Sequence, residues 1–172
     1  MKKTLALIVS SMMIAAFLIS CAGTPKTSTD SVKTEVKDPQ VKSGGDNFAI
    51  DAINRQVSDF AIDGFPGGSS KLSKNEDLEN MKKIVALVKP IIDKIPDGYV
   101  MQITGHAADY DGKAKQMSVS KARAAKVYNE LKNAGVAASK MTYKGVGIDE
   151  PISGADLKDL KQRSVSFKAV KK

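Results

Sequence analysis

The sequence predicts an α/β domain, an α+β sandwich in which helices pack on one mixed sheet. Helical and extended hydrophobic patterns alternate along the chain after residue 47, and Gly-rich or Pro-rich turns separate them. Hydrophobic residues make up 42% of the 172-residue chain, which is enough for one core. Aromatic residues are only 5% and Trp is absent, so this core must be mostly aliphatic.

Two helices are predicted in the first half of this domain. Apolar residues recur at helical spacing over residues 49–58, which predicts the first helix. A short extended stretch at residues 60–65 and a turn at residues 67–70 follow. Ser73 and Glu76 have the spacing of a capping box and predict the start of the second helix. Pro90 is expected to kink or end that helix, because proline removes a backbone N–H donor.

The second half predicts three strands around a third helix. The strands are expected at residues 99–104, closed by Gly105, and at residues 140–146 and 163–170. The helix is expected from about residue 118 to residue 134, with Gly135 as its left-handed stop. The order β-α-β-α-β follows from these elements.

The first residues resemble the export signal of a bacterial lipoprotein. Positive charge at Lys2 and Lys3 precedes an apolar run that is too short to span a bilayer comfortably. The run ends in Ser20-Cys21, which resembles a lipobox, and Ala22 favours the outer membrane. We expect a signal peptide at residues 1–20, a lipidated Cys21 with a flexible linker at residues 21–46, and the domain at residues 47–172, lipid-anchored to the outer membrane with the domain in the periplasm.

The composition excludes several kinds of chemistry. The one cysteine and one histidine of the chain leave no internal disulfide and no multi-histidine metal site. Nucleophile elbows, zinc spacings and complete phosphate loops are absent, and His106 is expected to be a structural residue. We therefore predict no enzyme, no catalytic residue, no cofactor and no metal. The formal charge of +8 fits an anionic partner, and equally a domain with a lysine-coated face.

One cluster of polar residues follows the central predicted strand. It contains Asp109 and Asp111, and Arg123 comes near the start of the next predicted helix. A strand end and the following helix often converge on one crevice. An acid and an arginine in this crevice could hold a zwitterion, although a surface ion pair would have the same spacing.

Several motifs in this part of the chain resemble those of the OmpA C-terminal-like family, which includes the peptidoglycan-associated lipoproteins. The resemblance rests on Ile103-Thr104-Gly105-His106, on Gly112, and on Val119-Ser120-Lys121-Ala122-Arg123-Ala124 with Val127 and Leu131. Gly145-Val146-Gly147 with Pro151 and Gln162-Arg163-Ser164-Val165 resemble later family segments. The resemblance implies the family's fold and a non-enzymatic domain that binds the diamino acid of the peptidoglycan stem peptide.

The resemblance also implies roles for particular residues. Arg123 matches the family arginine that holds the stem carboxylate. The family acid that holds the ammonium group has no direct match, since Ala108 stands at its position counted from Gly105 and Asp109 stands there counted from Gly112. We predict Asp109 as its substitute and Asp111 as the next choice. Further residues are predicted to support the site, Thr104 and Gln116 as hydrogen-bonding groups and Arg163 as a nearby cation.

Other departures from the family lie nearby. Gln116 stands in place of Asn, Ser164 in place of a second Arg, and Pro66-Gly67-Gly68 in place of polar residues. The leading hypothesis is an outer-membrane lipoprotein that ties the membrane to the cell wall, with the stem peptide and the membrane as partners, and without nucleic acid. The alternative is an envelope protein-interaction module that has the fold but does not bind peptidoglycan.

Overall fold

The computed structural model of the protein describes residues 43–172. The predicted signal peptide, Cys21 and nearly all of the predicted linker lie outside the described residues. Helix α1 spans Ser43–Val57, so it begins before the predicted residue 49. Its apolar residues Ile50, Ile53 and Val57 are buried. None of the helices within residues 43–172 is both long enough and apolar enough to cross a membrane.

Four strands form one mixed sheet, as the sequence predicts. They are β1 (Ala61–Ile62), β2 (Tyr99–Gly105), β3 (Met141–Gly145) and β4 (Val165–Lys171), in the spatial order β1-β4-β2-β3. Strand β4 runs antiparallel to β1 and β2, and β2 runs parallel to β3. The carboxyl ends of β2 and β3 therefore meet at the same edge of the sheet, which is where ligands commonly bind in α/β folds.

Helix α2 spans Asn75–Asp93, so the predicted capping box is wrong and Pro90 does not end the helix. Lys74, in an extended conformation and without a side-chain cap, is the residue before the helix, so Ser73 and Glu76 form no capping box. The helix also continues past Pro90 for three more residues, to Asp93. Ile92 in this last turn is fully buried, and its packing against the core favours the extra turn.

Helix α3 spans Lys113–Asn133 and begins five residues before the predicted residue 118. Gly135, with φ 92°, follows its end as predicted. Two 3-10 turns, Ala138–Lys140 and Leu160–Gln162, precede β3 and β4. The early start of α3 brings Gln116 into the helix, and both Gln116 and Arg123 are buried on its inner face.

Two glycines allow α3 to lie directly on the sheet. A Cβ added at Gly105 would collide with the carbonyl oxygen of Ser120, and one added at Gly145 would collide with the backbone of Lys121. The ends of β2 and β3 therefore touch the helix backbone itself. The core beside this contact is aliphatic, with Met101, Ile103, Val127, Leu131 and Val165 among its buried residues.

Candidate functional site

A crevice lies at the carboxyl end of β2, between four segments of the chain. Its lining residues include arginines, one acid and two glycines: Gly67, Gly68, Ala107, Ala108, Tyr110, Asp111, Gln116, Val119, Arg123 and Arg163. The cavity volume is about 20 Å³, which is roughly the space that one water molecule needs. The crevice therefore has charge of both signs but little room.

Arg123 lies at the bottom of the crevice and is 1% exposed. Its guanidinium donates three hydrogen bonds to backbone carbonyls: Nε to Ser69 at 3.0 Å, Nη2 to Pro66 at 2.9 Å, and Nη1 to His106 at 2.8 Å. The first two acceptors belong to the loop before α2, so Arg123 holds that loop over the crevice. The predicted carboxylate-binding arginine is thus largely engaged by the protein itself.

The charge of Arg123 is maintained without a paired acid. Burial, and secondarily the positive charge of Arg163, lower the pKa of Arg123 from 12.5 to about 10, so the guanidinium remains charged at neutral pH. None of the ion pairs formed among residues 43–172 includes an arginine. The carbonyl dipoles and the ring of Phe65, 5.5 Å from the guanidinium carbon, surround the charge instead.

The two predicted acids have different surroundings. The Asp109 carboxylate accepts a hydrogen bond from Gln116 Nε2 at 2.9 Å, and Asp109 is not among the residues that line the crevice. Asp111 does line the crevice, and its Oδ1 forms an ion pair with Lys115 Nζ at 2.8 Å. Gln116 also donates a hydrogen bond to the backbone carbonyl of Asp111, so its side-chain amide contacts both Asp109 and Asp111.

The remaining predicted residues lie around the crevice. Arg163 lines it, with its guanidinium carbon 5.0 Å from the centre of the Tyr110 ring. The Arg163 side chain forms no ion pair with residues 43–172, and it is only partly buried. Thr104 is buried in β2 next to the crevice but is not part of its lining. The structure therefore brings Arg123, Arg163, Asp111 and Gln116 together, and leaves Asp109 and Thr104 beside them.

Two buried polar residues hold the loops around the crevice, and the sequence analysis gave neither of them a binding role. Ser120 Oγ accepts from the Gly147 N–H at 2.9 Å and donates to the Met117 carbonyl, which fixes the loop after β3 to α3. Gln162, 1% exposed, accepts from the Ile152 N–H at 2.8 Å and organises the loop before β4. Both residues stand in the motifs quoted above, and that is the sequence signal that could have identified them.

His106 is held in place by hydrogen bonds at both of its ring nitrogens. Its Nδ1 donates to the Glu150 carbonyl at 2.8 Å, so in the neutral ring Nε2 accepts from Ser166 Oγ, also at 2.8 Å. Burial lowers the pKa of His106 below 6.5, and this favours the neutral ring. Among residues 43–172, no group of His, Cys, Asp or Glu could hold a metal ion. The charged and polar side chains that line the crevice can contact a ligand through ionic interactions and hydrogen bonds.

Comparison with known proteins identifies the family. The profile described as the OmpA family matches residues 64–164, which include both arginines of the crevice and all of its other lining residues. The chain belongs to the OmpA family. Among curated proteins, no sequence matches this one closely enough to count as a relative.

Solved structures share the OmpA-family fold at low sequence identity. The OmpA-like domain of FopA1 from Francisella tularensis aligns with a TM-score of 0.51 at 18% identity, covering 64% of this chain and 69% of that one. The C-terminal domain of Helicobacter pylori MotB aligns with a TM-score of 0.53 at 16% identity, covering 66% and 85%. The peptidoglycan-associated lipoprotein from Burkholderia pseudomallei aligns with a TM-score of 0.51 at 15% identity, covering 66% and 92%.

Ala108 and Asp109 differ in their relation to the crevice. Ala108 lines it, whereas Asp109 does not. The backbone N–H of Asp109 donates to the Leu157 carbonyl at 2.8 Å. The crevice wall at position 108 is therefore an uncharged methyl group.

Proposed function

We propose that this OmpA-family domain binds peptidoglycan non-covalently through the stem peptide, at the crevice beside β2. The observation that carries the proposal is the presence of Arg163, Arg123 and Asp111 in one crevice of an OmpA-family domain. Two cations and one anion at a strand end suit a ligand that carries both a carboxylate and an ammonium group.

Arg163 is the group that we propose to hold the stem carboxylate. Its guanidinium is partly exposed and has no acid partner among residues 43–172, whereas Arg123 already donates to three carbonyls. A planar guanidinium can donate two parallel hydrogen bonds to one carboxylate. Arg123, at the base of the crevice, adds positive potential. Since the cavity holds about 20 Å³, the body of the peptide must lie outside it.

A lipid anchor and a tethering role complete the proposal. The lipobox-like Ser20-Cys21 supports acylation of Cys21 after export, and Ala22 supports the outer membrane as the destination. Two or more acyl chains are needed for a lasting anchor. A polar linker of about 25 residues would have a root-mean-square reach of roughly 25–30 Å. In this proposal the domain lies in the periplasm and links the membrane to the cell wall.

Sedimentation with insoluble peptidoglycan sacculi tests the binding. The full-length chain in mild detergent is mixed with sacculi and centrifuged, and we expect it in the pellet. Arg163→Gln should lower the bound fraction about tenfold, since one charge-assisted recognition contact is lost. Arg55→Gln, which changes an exposed arginine on α1, should bind as the unmodified chain does. A chain that stays in the supernatant would contradict the proposal.

Acylation is tested separately from wall binding. Cells that express the chain are fed an alkyne fatty acid, and the purified protein is examined for the label. Cys21→Ser should abolish labelling, because Cys21 is the only thiol in the sequence. Labelling that persists in Cys21→Ser, or is absent from the unmodified chain, would remove the anchor from the proposal.

A second candidate function, a protein-interaction module, is favoured by one specific observation. Exposed apolar side chains lie beside the crevice: Tyr110 is 60% exposed, Leu157 41% and Leu160 63%. The Tyr110 hydroxyl and the Asp109 N–H both bond to the loop that contains the two leucines, so these residues are neighbours. A stoichiometric envelope protein that co-purifies with the chain, is lost in Leu160→Asp and is retained in Arg163→Gln would favour this function.

A further inference from the structure

Arg163 is held in the crevice by packing, and its N–H donors are left free. Its guanidinium carbon lies 5.0 Å from the centre of the Tyr110 ring. A Cβ added at Gly67 would lie 3.5 Å from that carbon and from both terminal nitrogens, so the guanidinium also lies beside the backbone there. Among residues 43–172, arginine side chains donate three hydrogen bonds, and all three come from Arg123. The N–H groups of Arg163 are therefore held in position and available to a ligand.

The second cation of the crevice adds to its attraction for a negatively charged group. Arg123 and Arg163 both line the crevice, and neither forms an ion pair with residues 43–172. The two charges are close enough to repel each other, since the charge of Arg163 is, after burial, the second cause that lowers the pKa of Arg123. A carboxylate bound at Arg163 would relieve this repulsion, and contact with a charged donor makes its hydrogen bonds strong.

The acidic side of the crevice offers much less to a ligand. Asp111 is the one acid among residues 43–172 that lines the crevice, and its Oδ1 already lies 2.8 Å from Lys115 Nζ. Asp109 is not part of the lining, and its carboxylate already accepts a hydrogen bond. Ala108 contributes only a methyl group to the wall. An entering ammonium would compete with Lys115 for Asp111, whereas an entering carboxylate has no such competitor at Arg163.

We infer that the crevice selects its ligand by a free carboxylate and is nearly indifferent to the ammonium group. Arg163 is the residue that determines this specificity. The inference rests on the proposed binding of the stem peptide and ranks the two charged groups of that ligand.

The specificity gives the cell wall a means to control the contact. Converting the stem carboxylate to a carboxamide removes its negative charge and replaces one acceptor oxygen with an NH₂ group, which cannot accept a hydrogen bond from Arg163. Amidation of the stem peptide would therefore release the domain from the wall, whereas modification of its amine would not.

Calorimetric titration with three forms of one muropeptide mixture tests the inference. The full-length chain in mild detergent is titrated with muropeptides that a muramidase has released from sacculi. The second form has its free amine acetylated, and the third is the acetylated form with its carboxyls then converted to amides. We expect acetylation to raise Kd less than about threefold, because Asp111 is already paired. Subsequent amidation should raise Kd about tenfold or more, because the charge-assisted contact to Arg163 is lost.

Three variants assign the selectivity to particular residues. Arg163→Gln should bind the acetylated and the amidated forms with equal, weak affinity. The matched control Arg55→Gln changes an exposed arginine on α1 and should keep the difference between these forms. Ala108→Asp adds an acid to the crevice wall, so acetylation of the amine should now raise Kd about tenfold. Thermal unfolding before titration establishes that each variant is folded.

The outcomes separate the specificity from the proposed function. A Kd of the unmodified chain that rises about tenfold on acetylation alone, or that amidation leaves unchanged, would overturn the inference while peptidoglycan binding stands. An unmodified chain that neither sediments with sacculi nor binds any form of the muropeptides would reject the function and the specificity together. Affinity that survives acetylation, falls on amidation and loses this difference in Arg163→Gln but not in Arg55→Gln is the result that the inference requires.

Discussion

The crevice and a wider groove, which Gly64 and Asp77 at the start of α2 help to line, share Arg163, but their charged residues have different partners. In the crevice, Arg123 is buried and donates to three carbonyls, and Asp111 is paired with Lys115. In the groove, Arg163 and Asp77 line an open volume without an ion partner among residues 43–172. The difference teaches that a buried charge with all-protein partners contributes to folding, whereas a charge without them is available for recognition.

The largest expected effect is the loss of stability when Arg123 is replaced, and the same replacement at Arg163 is its comparison. Arg123→Ala leaves three carbonyls without their donor, so we expect a loss of roughly 3–5 kcal/mol in the free energy of unfolding. Arg163→Ala removes a partly exposed side chain and should cost about 1 kcal/mol or less. Urea unfolding measures both changes. Equal losses in the two variants would remove the distinction between a structural and a recognition arginine.

A smaller loss of stability is expected when a methyl group is inserted where α3 touches the sheet. Gly105→Ala places a methyl group against the Ser120 carbonyl, so the helix that positions Arg123 must shift. We expect destabilisation of about 1–3 kcal/mol by urea unfolding. Gly112→Ala is the matched control, since a Cβ there meets nothing within 4 Å and φ is −62°. An unchanged Gly105→Ala protein would mean that α3 does not contact β2 as described.

Gly64 provides the corresponding test on the groove. Gly64→Ala combines an unfavourable φ of 81° with a collision against Asp77, whereas Gly98→Ala has an unfavourable φ of 86° and no atom within 4 Å. Both substitutions should destabilise by roughly 1–2 kcal/mol through the backbone alone. Only Gly64→Ala should lose more stability than this in urea unfolding, because its methyl group also meets the Asp77 carboxylate. Equal behaviour of the two variants would show that Gly64 does not position the carboxylate.

The smallest effect concerns the pH dependence of stability and His106, whose backbone carbonyl accepts a hydrogen bond from Arg123. Burial, together with Lys144, lowers the pKa of His106 below its usual 6.5, against the opposing influence of Glu150. The unfolded chain then binds a proton that the folded chain excludes, so this contribution to stability is complete above pH 6.5 and declines as the pH falls towards the folded pKa. His106→Gln should flatten the decline in urea unfolding measured below pH 6.5. A slope that is unchanged in this variant would assign the decline to carboxylates.

The sequence predicts the mixed sheet, and it predicts the buried residues that recur at regular spacing along strands and helices. Strand β2, the buried Val165 and Phe167 of β4, and the stop at Gly135 follow from hydrophobic alternation and from glycine chemistry, which act locally. The helix starts are less predictable. Ser73 and Glu76 have capping spacing, yet α2 begins at Asn75, because the favoured start also depends on how the preceding loop packs.

The partners of the charged residues could not be predicted for a physical reason. Arg123 is satisfied by carbonyls of Pro66 and Ser69, and every residue has a carbonyl, so no sequence pattern marks them. Asp77 and Arg163 line one groove only because α2 begins beside Gly64 and Arg163 comes from a segment near the end of the chain. The family motifs point to the arginines, whereas the neighbours of each arginine depend on distances that only the folded chain has.

The sheet joins segments that are far apart along the chain, and this sets the order of events during biogenesis. Strand β1 pairs with β4, with Ile62 opposite Val165, so the pairing spans about a hundred residues. Arg163 comes just before β4, whereas Pro66 and Gly67 of the same crevice come just after β1. During synthesis the chain therefore does not have the crevice until its last strand is available to pair. The crevice is among the last features of the domain to form.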